Sequence, residues 1–200
     1  MRFFVSSRAS GVWGIAFVVL LLVSAAAVSV PTSQESGQRI ADFYRQHGDG
    51  VIAQQVIGVV ALAAFVAFAL LLAPNQWLRV ALIAFVVTEL ATNAVPLAIV
   101  LTKPSADTAH TLTFVEDLAD AALFVAIAMF VSALTLAEPL WLRVAAYVVA
   151  AVCVVRAVGG PLGFTSFDAV APIAFLVFML VFCIRLLVKQ RAATRAALPS

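Results

Sequence analysis

Glu89, Asn93 and Pro96 stand within nine residues of one another in a stretch that is otherwise almost wholly apolar, from Val80 to Leu101. Ionisable groups in such surroundings are expensive and mark function by default, so each needs a partner or a purpose. Counted at 1.5 Å per residue from Gln76, Glu89 lies ~20 Å along a helix, near the middle of a bilayer. Asn93, four residues on, shares its face, and Thr88 and Thr92 flank the stripe. A second set follows: Glu116, Asp117 and Asp120 at i, i+3 and i+4 spacing, which places three carboxyls on one broad helix face. Asp120 falls ~14 Å from Thr111, at a depth comparable to Glu89.

Gln54 and Gln55 open another apolar run, Arg156 closes one, and Asp168 begins one. Facing lipid would cost these groups far more than facing one another, so the sequence predicts inward convergence on an acidic, outward-facing cavity. Its candidate residues are Glu89, Asn93, Glu116, Asp117, Asp120, Arg156 and Gln55, with Arg156 as the strongly basic wall residue. Two uses of such a cavity stand side by side. One is structural: Arg156 pairs with Asp117 or Asp120, and Asn93 and Gln55 bond helix to helix. The other is a site for a cation or a proton.

Other chemistries find no residues to carry them. His47 and His110 both fall at the outer surface, which leaves no intramembrane pair for haem and no H-E-x-x-H zinc motif. There is no G-x-S-x-G elbow and no phosphate-binding glycine loop. Lys103 and Lys189 lie at surfaces, which argues against a Schiff base to retinal. Cys153 and Cys183 fall at different depths and read as small buried apolar residues rather than a redox pair. The reading is a non-enzymatic protein without cofactor or metal.

The elements that must position these groups follow from composition. Of 200 residues, 64% are hydrophobic and 11% charged, against roughly 45–50% and about 25% in soluble domains. Such a chain cannot clothe a water-soluble globule, and its solvent is the lipid bilayer. A net charge of +2 is too small and dispersed for nucleic-acid binding. Six runs are long and apolar enough to cross as helices: 11–30, 51–73, 76–101, 111–135, 139–158 and 168–188. The expected fold is an all-α, polytopic six-transmembrane-helix bundle, one domain over residues 1–200. Prolines 31, 74, 104 and 139 should mark helix ends, while Pro96 and Pro172 fall inside spans and predict kinks.

Basic residues set the orientation. With the N-terminus inside, the inner segments carry Arg2, Arg8, Arg79, Arg143, Arg185, Lys189, Arg191 and Arg195, and the outer ones Arg39, Arg45, Lys103 and Arg156. Eight against four predicts both termini in the cytoplasm. Trp13, Trp77 and Trp141 all fall near the inner boundary, where they anchor helices. The first span also has the outline of a signal peptide, with Arg2 and Arg8, an apolar run and Ala25-Ala26-Ala27. Gly11 to Val30 is long enough to cross, and a retained first helix is the favoured expectation.

Between the first two spans, Thr32 and Glu35 have the spacing of a capping box. Ile40, Phe43, Tyr44 and His47 then recur at helical spacing, predicting a surface helix over 33–47 ended by Gly48 and Gly50. It reads as a connector, with a lid over the cavity as the alternative. Trp77-Leu78-Arg79-Val80-Ala81 recurs 64 residues later as Trp141-Leu142-Arg143-Val144-Ala145. The pair fits a parallel repeat of helical hairpins, and equally the anchoring preference of any inner turn.

The stretches Asp42-Phe43-Tyr44-Arg45-Gln46-His47, Asp117-Leu118-Ala119-Asp120 and Pro139-Leu140-Trp141-Leu142-Arg143 together resemble an arrangement found in six- or seven-helix membrane proteins of actinobacteria with no established function. The resemblance spans about residues 35–188. It implies a bacterial plasma membrane and implies no activity. The functional expectation is a binding or accessory membrane protein whose acidic outer cavity holds its helices together or recognises a cationic partner, with a cation, a proton or an unidentified protein as the candidate partners. The alternative is a small proton- or cation-coupled transporter using Glu89 and Asp120.

Overall fold

The structure, a computed structural model, describes residues 2–72, 75–164 and 167–196, with side chains over 8–72, 75–164 and 167–189. Its helices are α1 (Arg2–Ala27), α2 (Gly37–Leu71), α3 (Gln76–Thr102), α4 (Ala106–Leu134), α5 (Leu140–Gly159) and α6 (Val170–Ala196). A 3-10 turn, Gly160–Leu162, follows α5. All six helices are long and apolar enough to cross a membrane, and the chain is a multi-pass, all-α membrane protein. Helices are what lipid demands, because each backbone N–H finds its acceptor within the same segment.

Local signals explain where they start. Ser36, Asn75 and Ser105 each accept a hydrogen bond from the N–H three residues on, at 3.4, 2.9 and 3.4 Å, and so cap α2, α3 and α4. The expected box at Thr32 and Glu35 does not form. The Glu35 N–H instead donates to the Thr32 carbonyl at 3.1 Å, closing a turn, and Ser36 takes the cap. Pro31 and Pro104 lie in loops and Pro139 is the N-cap of α5, while Pro74 lies outside the described residues. So do the side chains of Arg2, Arg191 and Arg195.

Nor is there a separate surface helix over 33–47. Helix continues through Gly48 and Gly50, and the chain only bends, at His47 (φ −115, ψ 17). These glycines serve close approach. A Cβ on Gly50 would come within 2.9 Å of Val28, and one on Gly48 within 3.2 Å of Val100. The 35 residues of α2 extend ~52 Å at 1.5 Å each, well beyond a hydrocarbon core of about 30 Å. Its first limb buries Ile40, Ala41 and Tyr44 against Val51, Ile99 and Ala109, over the ends of α3 and α4. Two further expectations change in detail. Pro172 is the third residue of α6, in a first turn whose N–H groups have no intrahelical acceptor, so it costs no hydrogen bond. Pro96 lies within α3, which continues unbroken.

The helices form a ring in chain order, α1 closing on α6, with α2 and α4 also touching across the middle. Phenylalanines fill the centre. Phe65 lies 4.1 Å from Phe85, 4.6 Å from Phe130 and 4.9 Å from Phe17, centroid to centroid. The repeated Trp-Leu-Arg segments take equivalent places in the first turns of α3 and α5. Leu78 and Leu142 are buried, and Trp77 and Trp141 are exposed. Their caps differ, since Asn75 bonds the Leu78 N–H and Pro139 makes no side-chain cap.

Small residues allow the closest contacts. A Cβ on Gly14 of α1 would sit 2.3 Å from Cys183 Sγ and 2.9 Å from the Phe68 ring. Gly14→Val is therefore expected to cost about 1–3 kcal/mol through overpacking. A lowered midpoint of thermal unfolding in detergent, beside an unchanged midpoint for a substitution at lipid-exposed Val19, would show it.

Candidate functional site

Five helices each turn one stripe of side chains toward a common cavity of about 370 Å³. The spacing is the i, i+3, i+4 of a single helix face. From α1 come Leu21, Ser24 and Ala25, and from α2 Gln54, Gln55 and Gly58. Helix α3 supplies Phe85, Glu89, Thr92 and Asn93, and α6 supplies Pro172, Phe175 and Leu176. From α4 come Glu116, Asp120, Leu123, Phe124 and Ile127. Phe85 and Phe175 belong also to the aromatic core, which makes the core one wall of the cavity.

Glu89, Asn93, Glu116, Asp120 and Gln55 are thus brought together, as convergence predicts. Asp117 is not. One residue on from Glu116 turns the side chain by about 100°, and Asp117 Oδ2 accepts instead from the Ser33 N–H at 2.9 Å and the Ser33 hydroxyl at 2.5 Å. His110 Nε2 reaches the Ser33 carbonyl at 3.0 Å, so α4 clasps the loop between α1 and α2. Asp117 lines a separate cleft of about 170 Å³ with His110 and Pro161.

Arg156 is no wall residue either. From α5, outside the cavity lining, it reaches Asp120 at 3.0 Å and Asp168 at 2.6 Å. Its guanidinium carbon lies 5.2 Å from the centroid of Phe124. Gly160 leaves it room, since a Cβ there would fall 1.9 Å from the guanidinium. Sequence spacing had no means of finding Asp168 as the second partner, because the two residues are joined only by the turn after α5. Gly160, four residues after Arg156, did carry a signal: one helical turn places it beside the arginine.

The remaining polar groups are partly committed. Asn93 Nδ2 donates to the Glu89 carbonyl at 2.7 Å and to Glu89 Oε1 at 3.2 Å. Tyr44 donates to Glu116 Oε2 at 3.5 Å, linking the first limb of α2 to the cavity. Gln54 Nε2 donates to the Val28 carbonyl at 3.1 Å, and Ser24 donates to the Gln54 carbonyl at 3.0 Å. Asn93 Oδ1 and Gln54 Oε1 are buried and accept no hydrogen bond among the described residues.

Comparison with protein-family models, curated proteins and solved structures finds no match to this chain. Its function must be read from the cavity itself. At the far end of the bundle a second ion pair, Arg185 with Glu138 at 2.5 Å, lies under the Trp141 ring and ties α6 to the turn before α5. It is remote from the cavity and was invisible in the sequence, where 47 residues separate the partners.

Arg156→Met should lower stability by about 1.5–3 kcal/mol, the cost of stranding hydrogen-bonded charge. Asp120→Asn combined with it should cost less than the sum of the two single changes. A double-mutant cycle on detergent unfolding midpoints reads the coupling, and strict additivity would show that the pair contributes nothing.

Proposed function

We propose that this protein is a non-enzymatic binding protein of a bacterial plasma membrane, whose cavity recognises a cationic ligand from the outer side. The observation that carries this reading is the gathering of Glu89, Glu116 and Asp120 around one cavity, with Arg156 engaged from behind by Asp120 and Asp168. Oxygens dominate the polar lining, and the residues that form it include no histidine, cysteine or lysine for nucleophilic or metal chemistry. The positive-inside bias places the His47 end outside and both termini in the cytoplasm, with α1 retained as a span. α1 supports that retention through Phe17, buried against Phe65 and Phe175, and through Ser24 in the cavity lining.

A second reading, a small proton- or cation-coupled transporter, is favoured by the position of Asp120. Its carboxyl lines the cavity and also holds Arg156, so a cation arriving in the cavity competes with an internal one. In that case Glu89→Gln abolishes pH-dependent uptake into proteoliposomes while leaving the unfolding midpoint in place.

The binding reading is tested by thermal unfolding in nanodiscs against a panel of inorganic and organic cations. A ligand at about 100 times its dissociation constant adds about 2.7 kcal/mol of stability, and Glu89→Gln should remove that gain. Indifference of the wild-type protein to every cation would sink the reading. Orientation is checked separately: a C-terminal green fluorescent protein fusion should fluoresce and a C-terminal alkaline phosphatase fusion should be inactive.

A further inference from the structure

We propose that the cavity binds an organic ammonium ion, a protonated amine on an apolar body, with its N–H groups among the oxygens of Glu89, Asp120 and Asn93 and its body against Phe85 and Phe175. This rests on the cation-binding reading above and names the class of cation.

The first support is the balance of donors and acceptors. Thr92 and Ser24 spend their hydroxyl hydrogens on the Glu89 and Gln54 carbonyls. The Asn93 and Gln54 amide groups donate to Glu89 and to the Val28 carbonyl. Apart from Gln55, whose amide brings donor and acceptor alike, the capacity left over is that of acceptors. No donor among the described residues reaches Asn93 Oδ1 or Gln54 Oε1. Each carboxyl of Glu89, Glu116 and Asp120 has one oxygen engaged, by Asn93, Tyr44 and Arg156 respectively. Asn93 is decisive because it is 94% buried, at 6% relative exposure. Its orientation is fixed by two oxygens of Glu89 on the Nδ2 side, since the flipped amide would set oxygen against oxygen. A buried acceptor without a donor is costly, and a ligand that brings N–H groups removes the cost.

Gly58 sharpens the point. A Cβ there would come within 2.9 Å of Asn93 Oδ1, so glycine is what lets this acceptor lie close against α2 at the cavity lining. Pro96 adds to the surplus, since it has no N–H to give the Thr92 carbonyl one turn earlier.

The walls decide between kinds of cation. A proton needs no cavity, and about 370 Å³ lies in the lower part of the range for small-molecule sites. A metal ion needs grouped ligands, and among the described residues no three His, Cys, Asp or Glu side chains are close enough to hold one. Most of the lining is aromatic or aliphatic, which hydrates no ion but suits the body of an amine. Ring faces attract cations, and Phe124 already carries the Arg156 guanidinium on one face.

The test uses the full chain in nanodiscs and calorimetric titration, with empty discs subtracted. Probes are phenethylammonium, its neutral counterpart 2-phenylethanol, and the chlorides of ammonium, potassium and calcium. Phenethylammonium should bind saturably and at least tenfold more tightly than 2-phenylethanol or any inorganic cation. Glu89→Gln and Gly58→Ala should each weaken it at least tenfold, the second by displacing the Asn93 amide without removing charge. Unfolding midpoints identify any variant that fails to fold, and the other then carries the test. Inorganic cations binding as tightly as phenethylammonium would overturn the organic class and leave the cation site standing. Equal binding of the amine and the alcohol, or binding of no probe, would overturn both.

Discussion

Hydrocarbon offers a polar group no hydrogen bond, and this constraint places nearly every charged side chain in the bundle. Arg156 shows it most fully. A guanidinium at that level must find anions or reach water, and it finds Asp120 on α4 and Asp168 before α6. One side chain thereby joins three consecutive segments. Phe124 beneath it and Gly160 beside it are shaped to the same group. Without that pairing, Asp120 would bring an unopposed charge into the cavity wall, and the end of α5 would lose its tie to α6.

Apolar packing does the complementary task. Lipid tails are as apolar as leucine, so helices gain little by merely hiding hydrophobic surface from one another. What holds them is close fit, provided by the phenylalanines around Phe65 and by the approach of α1 to α6 at Gly14. The aromatic core ends at Phe85 and Phe175, and the polar cavity begins at the same two rings. Fold and site therefore share a wall, so the cavity is bounded on that side by the packed aromatic core. Its roof differs in kind. The bent first limb of α2, through Tyr44 and Glu116, and the Ser33 loop, through Asp117, are held over the bundle by hydrogen bonds to α4. The bend at His47 is where a span too long for the bilayer turns back over its neighbours.

Periodicity and hydropathy in the chain alone determined the six helices, because spanning lipid permits no other regular structure for these runs. They also pointed Glu89 with Asn93 and Glu116 with Asp120 inward, since each pair sits at i, i+4 on a stripe that lipid would penalise, and Gln55 with them as a polar group in an apolar run. Helix ends were less legible. Thr32 matched a capping pattern, but Ser36 sits nearer the helix that tertiary contacts favour. Gly48 and Gly50 looked like terminators and are points of contact with Val100 and Val28.

Only the tertiary structure decided which acid does what. A turn of about 100° per residue separates Asp117 from Glu116, but the Ser33 loop, distant in sequence, is what captures it. Arg156 had two candidate partners by spacing and took one of them together with Asp168, which is not on the same helix as either. The empty hydrogen-bonding capacity of Asn93 and the glycine facing it are likewise invisible one residue at a time. Such facts depend on which side chains meet across helices, and hydropathy, which scores each helix against lipid, carries no information about its neighbours.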